Sequence, residues 1–299
     1  MNKSTADLAR TITWEGSRQT YFTGRLMIDR DLVDDFYRAY AYFRWADDVI
    51  DSSSHSDEER IRFIKRQRDL IDGLYKNGRP DDLAAEEEIM ADLISHDRGE
   101  NSGLQSFIRN MFAIIEFDAY RKGWPIGREE LVWYSNCLAK SVTDGIQYFI
   151  GNGQAYPDGN DRYSAAFGAH ITHLLRDTVQ DTADGFINIP DEYLEKHTIG
   201  PGDVDSEPYR EWVRERVEEA WQHLHEGKRY LDKLDNLRCK IAGYWYCARF
   251  ETVLDTIEHD GYRIRSDYGE RRKLSTWLKI IWLGIVIPLR HITRPDHHS

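Results

Sequence analysis

Two aspartate-rich segments, far apart in the chain and both at helical spacing, constrain this sequence more than any other feature. The first carries Arg44, Asp47, Asp48 and Asp51, and the second carries Arg176, Asp177 and Asp181. In each, two carboxylates stand four residues apart with an arginine just upstream. On an α-helix such residues share a face, about 6 Å apart along the axis. Four carboxylates gathered about one cavity repel by about 4 kcal/mol per close pair at an effective dielectric of about 20, so the arrangement calls for cations. Oxygen ligands with no Cys or His in the repeat favour Mg²⁺ over zinc, and Mg²⁺ completes its octahedron with water and phosphate oxygens. The arginines add forked donors suited to phosphate. Together the segments predict a Mg²⁺-dependent enzyme that handles a diphosphate.

Either segment alone reads equally well as a solvated helix face. Their neighbours argue otherwise. The first follows an aromatic run containing Phe36, Tyr37, Tyr40, Tyr42 and Phe43, and the second follows Ala165, Ala166, Phe167, Ala169, Leu174 and Leu175. Carboxylates embedded in helices of that kind are costly unless paired or metal-bound. His170 and His173 continue the second stripe at i, i+3, i+7 and i+11 with Asp177 and Asp181. They read either as donors to diphosphate or metal-bound water, or as neutral side chains satisfying neighbouring helices.

Helical periodicity runs almost throughout. Ser56 and Glu59 form a capping box opening a helix that ends at Asn77 and Gly78. The polar stretch 79–103 holds an acidic helix and then a loop. Further helices are expected over 105–120, from Gly127 through Tyr134 and Val142 towards Gly151, and through the second aspartate segment. Pro208 suits the first turn of a long charged helix reaching Lys233, 242–258 forms another, and Ser275 caps the last. There is no strand run, Gly-rich phosphate loop or linker, so residues 1–299 read as one all-α domain whose ligand site lies inside the bundle.

A net charge of −12 argues against nucleic acid as a partner. Residues 263–294 run the other way, with eight Lys/Arg and two acids, a net +6 against −18 for the rest. Within them, 275–290 combines Trp277, Trp282, Lys279 and Arg290, which suits either an interfacial helix or a C-terminal core helix. Peripheral membrane association is the partner this implies. Cys137, Cys239 and Cys247 match no metal or disulfide spacing, and the N-terminus is too polar for a signal peptide, so the cytoplasm is the expected compartment.

At these motifs the chain resembles the squalene/phytoene synthase family, the head-to-head branch of the trans-isoprenyl diphosphate synthases. The resemblance begins at Ser17, Tyr21 and Phe22 and runs through Tyr40, Arg44, Asp47, Asp48 and Asp51. It continues at Phe117 and Asp118, at Glu130, Tyr134, Ala139 and Val142, and from Leu174 to Gly185 around Asp177 and Asp181. It ends through Pro190 and Tyr193 to Leu254, Asp255 and Tyr262. It implies an isoprenoid-synthase-type helical bundle with a central cavity. It also implies Mg²⁺ on Asp47, Asp51, Asp177 and Asp181, with diphosphate contacts from Arg44 and Arg176 and a serine, Ser17, nearby. Tyr134 would position or deprotonate the allylic group. The implied reaction joins two prenyl diphosphates through a cyclopropyl intermediate to a squalene- or phytoene-type hydrocarbon, as in carotenoid biosynthesis. Asp48, about 100° round the helix from Asp47, reads as a supporting residue. NADPH use, prenyl chain length and oligomeric state have no signature here.

The chain departs from the family at His170 and His173, where Gln and Asn are usual, and at Phe186 and Asn188, where Arg and Tyr are usual. Phe250 replaces a Tyr, and Asp267 stands where a basic residue is expected, with Arg265 two places away.

Metal ions and arginines would draw charge from the departing diphosphate, and the resulting carbocation needs a dry aromatic cavity. Tyr40, Tyr42, Phe43, Trp45, Phe149 and Phe167 are candidate linings, with ordinary core packing the simpler reading of each. A terpene-cyclase-like enzyme ionising one prenyl diphosphate would use the same metal logic. A non-catalytic helical protein on a membrane surface is the alternative of another class. A di-iron bundle needs Glu-x-x-His pairs, which are absent, and His96–Asp97 lies in a polar loop ill-suited to a phosphohydrolase.

Overall fold

The computed structural model describes residues 4–52, 54–97, 99–151, 153–269, 282–284, 286–289 and 291. Among them are eleven α-helices: α1 (Thr5–Gly16), α2 (Arg18–Met27), α3 (Val33–Asp51), α4 (Asp57–Lys76), α5 (Ala85–Ser95), α6 (Gly103–Arg121), α7 (Arg128–Ile150), α8 (Ser164–Asp184), α9 (Asp191–His197), α10 (Glu207–Lys233) and α11 (Leu237–His259). No strand occurs among the described residues; one isolated bridge pairs Pro125 with Ile187. Most of the helix expected over 275–290 lies outside the described residues, so its interfacial role is not addressed. No described helix is long and apolar enough to cross a membrane.

The predicted punctuation is visible in the helix ends. Ser56 and Glu59 form the reciprocal capping box of α4, Asn77 ends it, and Gly78 turns away at φ 85°. Ser206 caps α10, with Pro208 in its first turn.

The chain divides into two compact units, Met1–Lys122 with Lys140–Gly153, and Gly123–Ala139 with Gln154–Ser299, so α7 contributes its N-terminal half to the second and its C-terminal half to the first. In the first unit α3 packs against α1, α2, α5 and α6. Its inner face is Tyr37, Ala39, Ala41, Tyr42, Phe43, Ala46 and Ile50, the alanines letting neighbouring helices approach closely. Tyr42 is fully buried and donates to Gln67 Oε1 at 2.9 Å. Gln67 Nε2 in turn donates to Glu87 Oε1 at 2.7 Å, and Arg66 forks onto both Glu87 oxygens at 2.7 Å each. The acidic helix of the polar stretch is thus pinned to α3 and α4 by a buried carboxylate.

In the second unit α8 packs chiefly against α10 and α11. The contact with α10 depends on Gly227, where a Cβ would sit 2.3 Å from the Ala165 nitrogen, and on Gly168, where it would sit 2.7 Å from the Ala220 oxygen. Gly185 ends α8 in the left-handed region, at φ 91°. The chain then returns along the segment before α7, with Gly123 N donating to Gly185 O at 2.7 Å and Ile126 N to Ile187 O at 3.1 Å. These bonds tie the end of the second aspartate segment to the start of the helix that carries Tyr134.

Candidate active site

Each unit presents one candidate stripe. On α3 it comprises Tyr40, Arg44, Asp47 and Asp51, at i, i+4, i+7 and i+11. The carboxylates were expected within buried helices. The helix is buried on its other side, but Asp47 and Asp51 themselves are exposed, so the pair sits on an open face. Arg44 is held by Asp48, with Nε to Oδ2 at 3.1 Å and Nη2 to Oδ1 at 2.6 Å. Asp48 thus holds the arginine beside Asp47 and Asp51.

Ser17 stands between α1 and α2, where its hydroxyl caps α2 by accepting from Thr20 N at 3.1 Å. It also hydrogen-bonds Tyr40, whose phenol is pushed up by burial and drawn back down by Arg44 and Ser17. Ser17, Arg44, Asp47 and Asp51 therefore belong to one cluster.

Two further residues join that cluster. Burial first, then the neighbouring Asp51, and then Asp118 on α6 push Asp47 up to about 7, against the pull of Arg44. Asp47 still reaches solvent, which screens part of this effect. Lys122 Nζ donates to Ile50 O at 3.0 Å and to Asp51 O at 2.8 Å, placing a cation on the last carbonyls of α3. Asp118 stands in the sequence beside Phe117 but carries no spacing signal of its own. Lys122 reads there as an ordinary helix-terminal lysine.

The candidate aromatic linings separate by phase. Phe43 and Tyr40 lie on the aspartate side of α3, whereas Tyr42 and Trp45 lie about 140° and 160° round from Asp47. Tyr42 serves the Gln67 network and Trp45 packs edge-on to Phe63 of α4, ring centroids 5.1 Å apart. Tyr42 belongs to the core and Trp45 packs beside it, the simpler of the two readings for each. Phe149 packs against Phe36 in the first unit and Phe167 against His223 in the second.

On α8 the stripe is His170, His173, Asp177 and Asp181. His170 is buried with its ring 5.2 Å from that of Tyr134, itself only 8% exposed. His173 Nε2 meets Asp177 Oδ2 at 2.8 Å, and Arg176 forks onto the same carboxylate. Burial works to raise Asp177, but Arg176 and His173 outweigh it and hold the group well below the usual carboxylate range. Asp181 accepts from Asn188 Nδ2 at 3.0 Å, so the departure at Asn188 supplies an amide donor to a predicted ligand. Phe250 stands 6.5 Å from the His173 ring, and Arg265 pairs with Asp260.

The two carboxylate pairs fit a hard cation unequally. The first is crowded with like charge and open, the condition a divalent cation relieves. In the second, Arg176 and His173 already neutralise Asp177 and would have to share it. Among the described residues no group of three or more His, Cys, Asp or Glu is disposed to hold a metal ion.

Solved structures share this architecture. The chain matches the squalene synthase HpnC from Alicyclobacillus acidocaldarius with a TM-score of 0.69 at 18% identity, covering 87% of this chain and 95% of that one. It matches a dehydrosqualene synthase solved with a ligand with a TM-score of 0.68 at 12% identity, covering 97% of each. The fold is therefore that of the all-α isoprenoid synthases.

Sequence comparison narrows the class. The squalene/phytoene synthase family model matches residues 15–278, a span that includes both aspartate segments, and the chain belongs to that family. A 15-cis-phytoene synthase of Synechocystis sp. is 23% identical over 300 residues, covering 93% of this chain and 84% of the relative. The chloroplastic phytoene synthase of Daucus carota is 24% identical over 279 residues, covering 86% of this chain and 65% of the relative.

Proposed function

We propose that this protein is a Mg²⁺-dependent prenyltransferase that joins two prenyl diphosphates head-to-head, releasing diphosphate and a squalene- or phytoene-type hydrocarbon. The observation that carries this reading is the family match over residues 15–278, with two carboxylates on one helical stripe and an arginine upstream of them in each aspartate segment. Asp47 and Asp51, with Asp177 and Asp181, would hold the ions. Bound Mg²⁺ would supply Lewis-acid stabilisation of the leaving diphosphate.

The other roles fall to the chain's own side chains. Arg44, fixed by Asp48, and Arg176 donate to diphosphate oxygens. Ser17 presents its hydroxyl beside Tyr40 at the same stripe. Tyr134, packed on His170, positions the allylic group and accepts or returns a proton at its phenolic oxygen. His170 and His173, in line with Asp177 and Asp181 on α8, would donate to the diphosphate. Tyr40 offers aromatic surface on the aspartate side of α3.

The test is incubation of the purified protein with farnesyl or geranylgeranyl diphosphate, with and without Mg²⁺, followed by product analysis. A C30 or C40 hydrocarbon formed only with Mg²⁺ supports the reading. A cyclised terpene or prenyl alcohol from one substrate would assign the chain to single-substrate ionisation. Absence of Mg²⁺-dependent diphosphate binding by calorimetry would favour a non-catalytic protein.

A further inference from the structure

The first two helices carry a surface that the reaction leaves unused. Trp14, Phe22 and Leu26 are exposed, Leu26 at 71%. Trp14 and Phe22 meet edge-to-face at 6.0 Å, and both contact the Tyr21 ring, whose other side stacks on Tyr37 of α3 at 5.3 Å. Gly24 fixes the opposite side of α2, since a Cβ there would lie 2.6 Å from the Tyr37 ring. The helix is therefore held through Tyr21 and Gly24 with Phe22 and Leu26 turned outward.

Arginines flank this ridge. Arg18 lies over the Trp14 ring at 5.0 Å, and Arg25 is exposed beside Leu26. They are the only charged residues of α2, in a chain of net charge −12; the nearest acids in sequence are Glu15 at the end of α1 and Asp29, which is buried. Neither arginine forms an ion pair among the described residues. Apolar and aromatic tips between unpaired arginines match an interface with a hydrocarbon layer beneath a sheet of anionic headgroups.

We infer that the ridge formed by Trp14, Phe22 and Leu26, with Arg18 and Arg25, docks on an anionic phospholipid bilayer. A second copy of the chain fits poorly, because a two-fold contact with the α2 helices antiparallel would set Arg18 of each copy against Arg25 of the other. A ten-residue helix about 15 Å long also falls short of the twenty or so residues a stable protein interface takes from each side. The inference is independent of the reaction, because it is read without substrate.

The test uses the full chain in vesicle flotation, comparing phosphatidylcholine alone with phosphatidylcholine mixed with phosphatidylglycerol. Wild type should float with the mixed vesicles and lose binding in high salt. Phe22→Ser with Leu26→Ser should weaken partitioning about tenfold or more. Arg18→Gln with Arg25→Gln should remove the preference for anionic vesicles. As a reporter, Leu26→Cys gives an exposed thiol against buried Cys137, Cys239 and Cys247, and a polarity-sensitive dye there should shift to the blue on mixed vesicles. Circular dichroism melting confirms that each variant is folded. Equal flotation of wild type and both double variants, no flotation at all, or an unshifted dye would overturn the inference. So would a wild-type dimer in solution that Phe22→Ser with Leu26→Ser dissolves, which would assign the ridge to contact between copies.

Discussion

Replacing Glu87 by glutamine tests how the first aspartate helix is held in place. Glu87 is 2% exposed, and its carboxylate receives Arg66 on both oxygens, Gln67 Nε2, and the Ala84 amide at 2.9 Å. Those donors, Arg66 first, hold it down from 4.5 to about 2. At about 1.4 kcal/mol for each pH unit, that sets a ceiling of about 3 kcal/mol on the stability gained by the ionised form at neutral pH. Arg66 keeps 55% of its side chain in solvent, which trims its share and leaves about 2 kcal/mol. For a chain of this length the loss corresponds to about 3 °C in melting temperature.

The sign follows from the direction of the shift. A carboxyl depressed in the folded state adds stability above its unfolded value of 4.5, and that stability drains away as pH falls towards about 2. Urea titrations of wild type and Glu87→Gln should show a gap of about 2 kcal/mol at neutral pH that narrows below about pH 4.5. The rest of the chain's titration cancels in the difference. Tyr42→Phe should cost about 1 kcal/mol, and less than that in the Glu87→Gln background, because both changes act on Gln67. A gap that is independent of pH, or smaller than about 0.5 kcal/mol, would refute the placement of Glu87 at the centre of this network.

Asp47→Ala or Asp177→Ala should abolish Mg²⁺-dependent turnover while leaving helical content unchanged; activity in excess chelator would sink the metal assignment. Asp47, raised to about 7, favours folding while protonated, and that contribution is lost as pH climbs through about 7. Asp47→Asn should therefore raise the metal-free melting temperature most at about pH 8, by less at about pH 5.5 and little below the unfolded value of 3.8, with the opposite order counting against the crowding by Asp51 and Asp118. Gly227→Ala should cost about 3 kcal/mol by forcing α10 away from Ala165, and near-wild-type stability would contradict the close α8–α10 approach. Diphosphate affinity at fixed Mg²⁺ should fall in His170→Ala with His173→Ala and be largely kept in His170→Gln with His173→Asn, because the amides preserve a hydrogen-bond donor. Unchanged affinity in the alanine variant would make both histidines structural.

What the sequence made legible were features that repeat along one helix. The spacing of Asp47 and Asp51 fixed their shared face before any fold was known, and the same logic set His170 and His173 in line with Asp177. The capping residues were equally local, so the ends of α4 and α10 followed from Ser56, Asn77 and Pro208. For Tyr42 and Trp45 the phase supports core packing: five residues from Asp47 is about 140° round the helix, towards the core. Aromatic content names cavity and core alike, and phase alone does not separate them: Phe43, about 40° from Asp47, is buried in the core as well. Contacts between helices were beyond reach. Glu87 is one of three consecutive glutamates, and nothing in Glu86, Glu87 and Glu88 tells which one turns inward to Arg66 and Gln67. Lys122 is likewise a terminal lysine until α6 brings it to the carbonyls of Ile50 and Asp51. The difference between the two aspartate pairs arises in the same way. Both read alike as arginine with two aspartates, yet one arginine is held off its pair by Asp48 while the other grips Asp177 directly. An anionic substrate that draws Arg176 onto its phosphate would free Asp177 for a cation, so binding at the second pair should be ordered, diphosphate with metal, where the first can take metal alone.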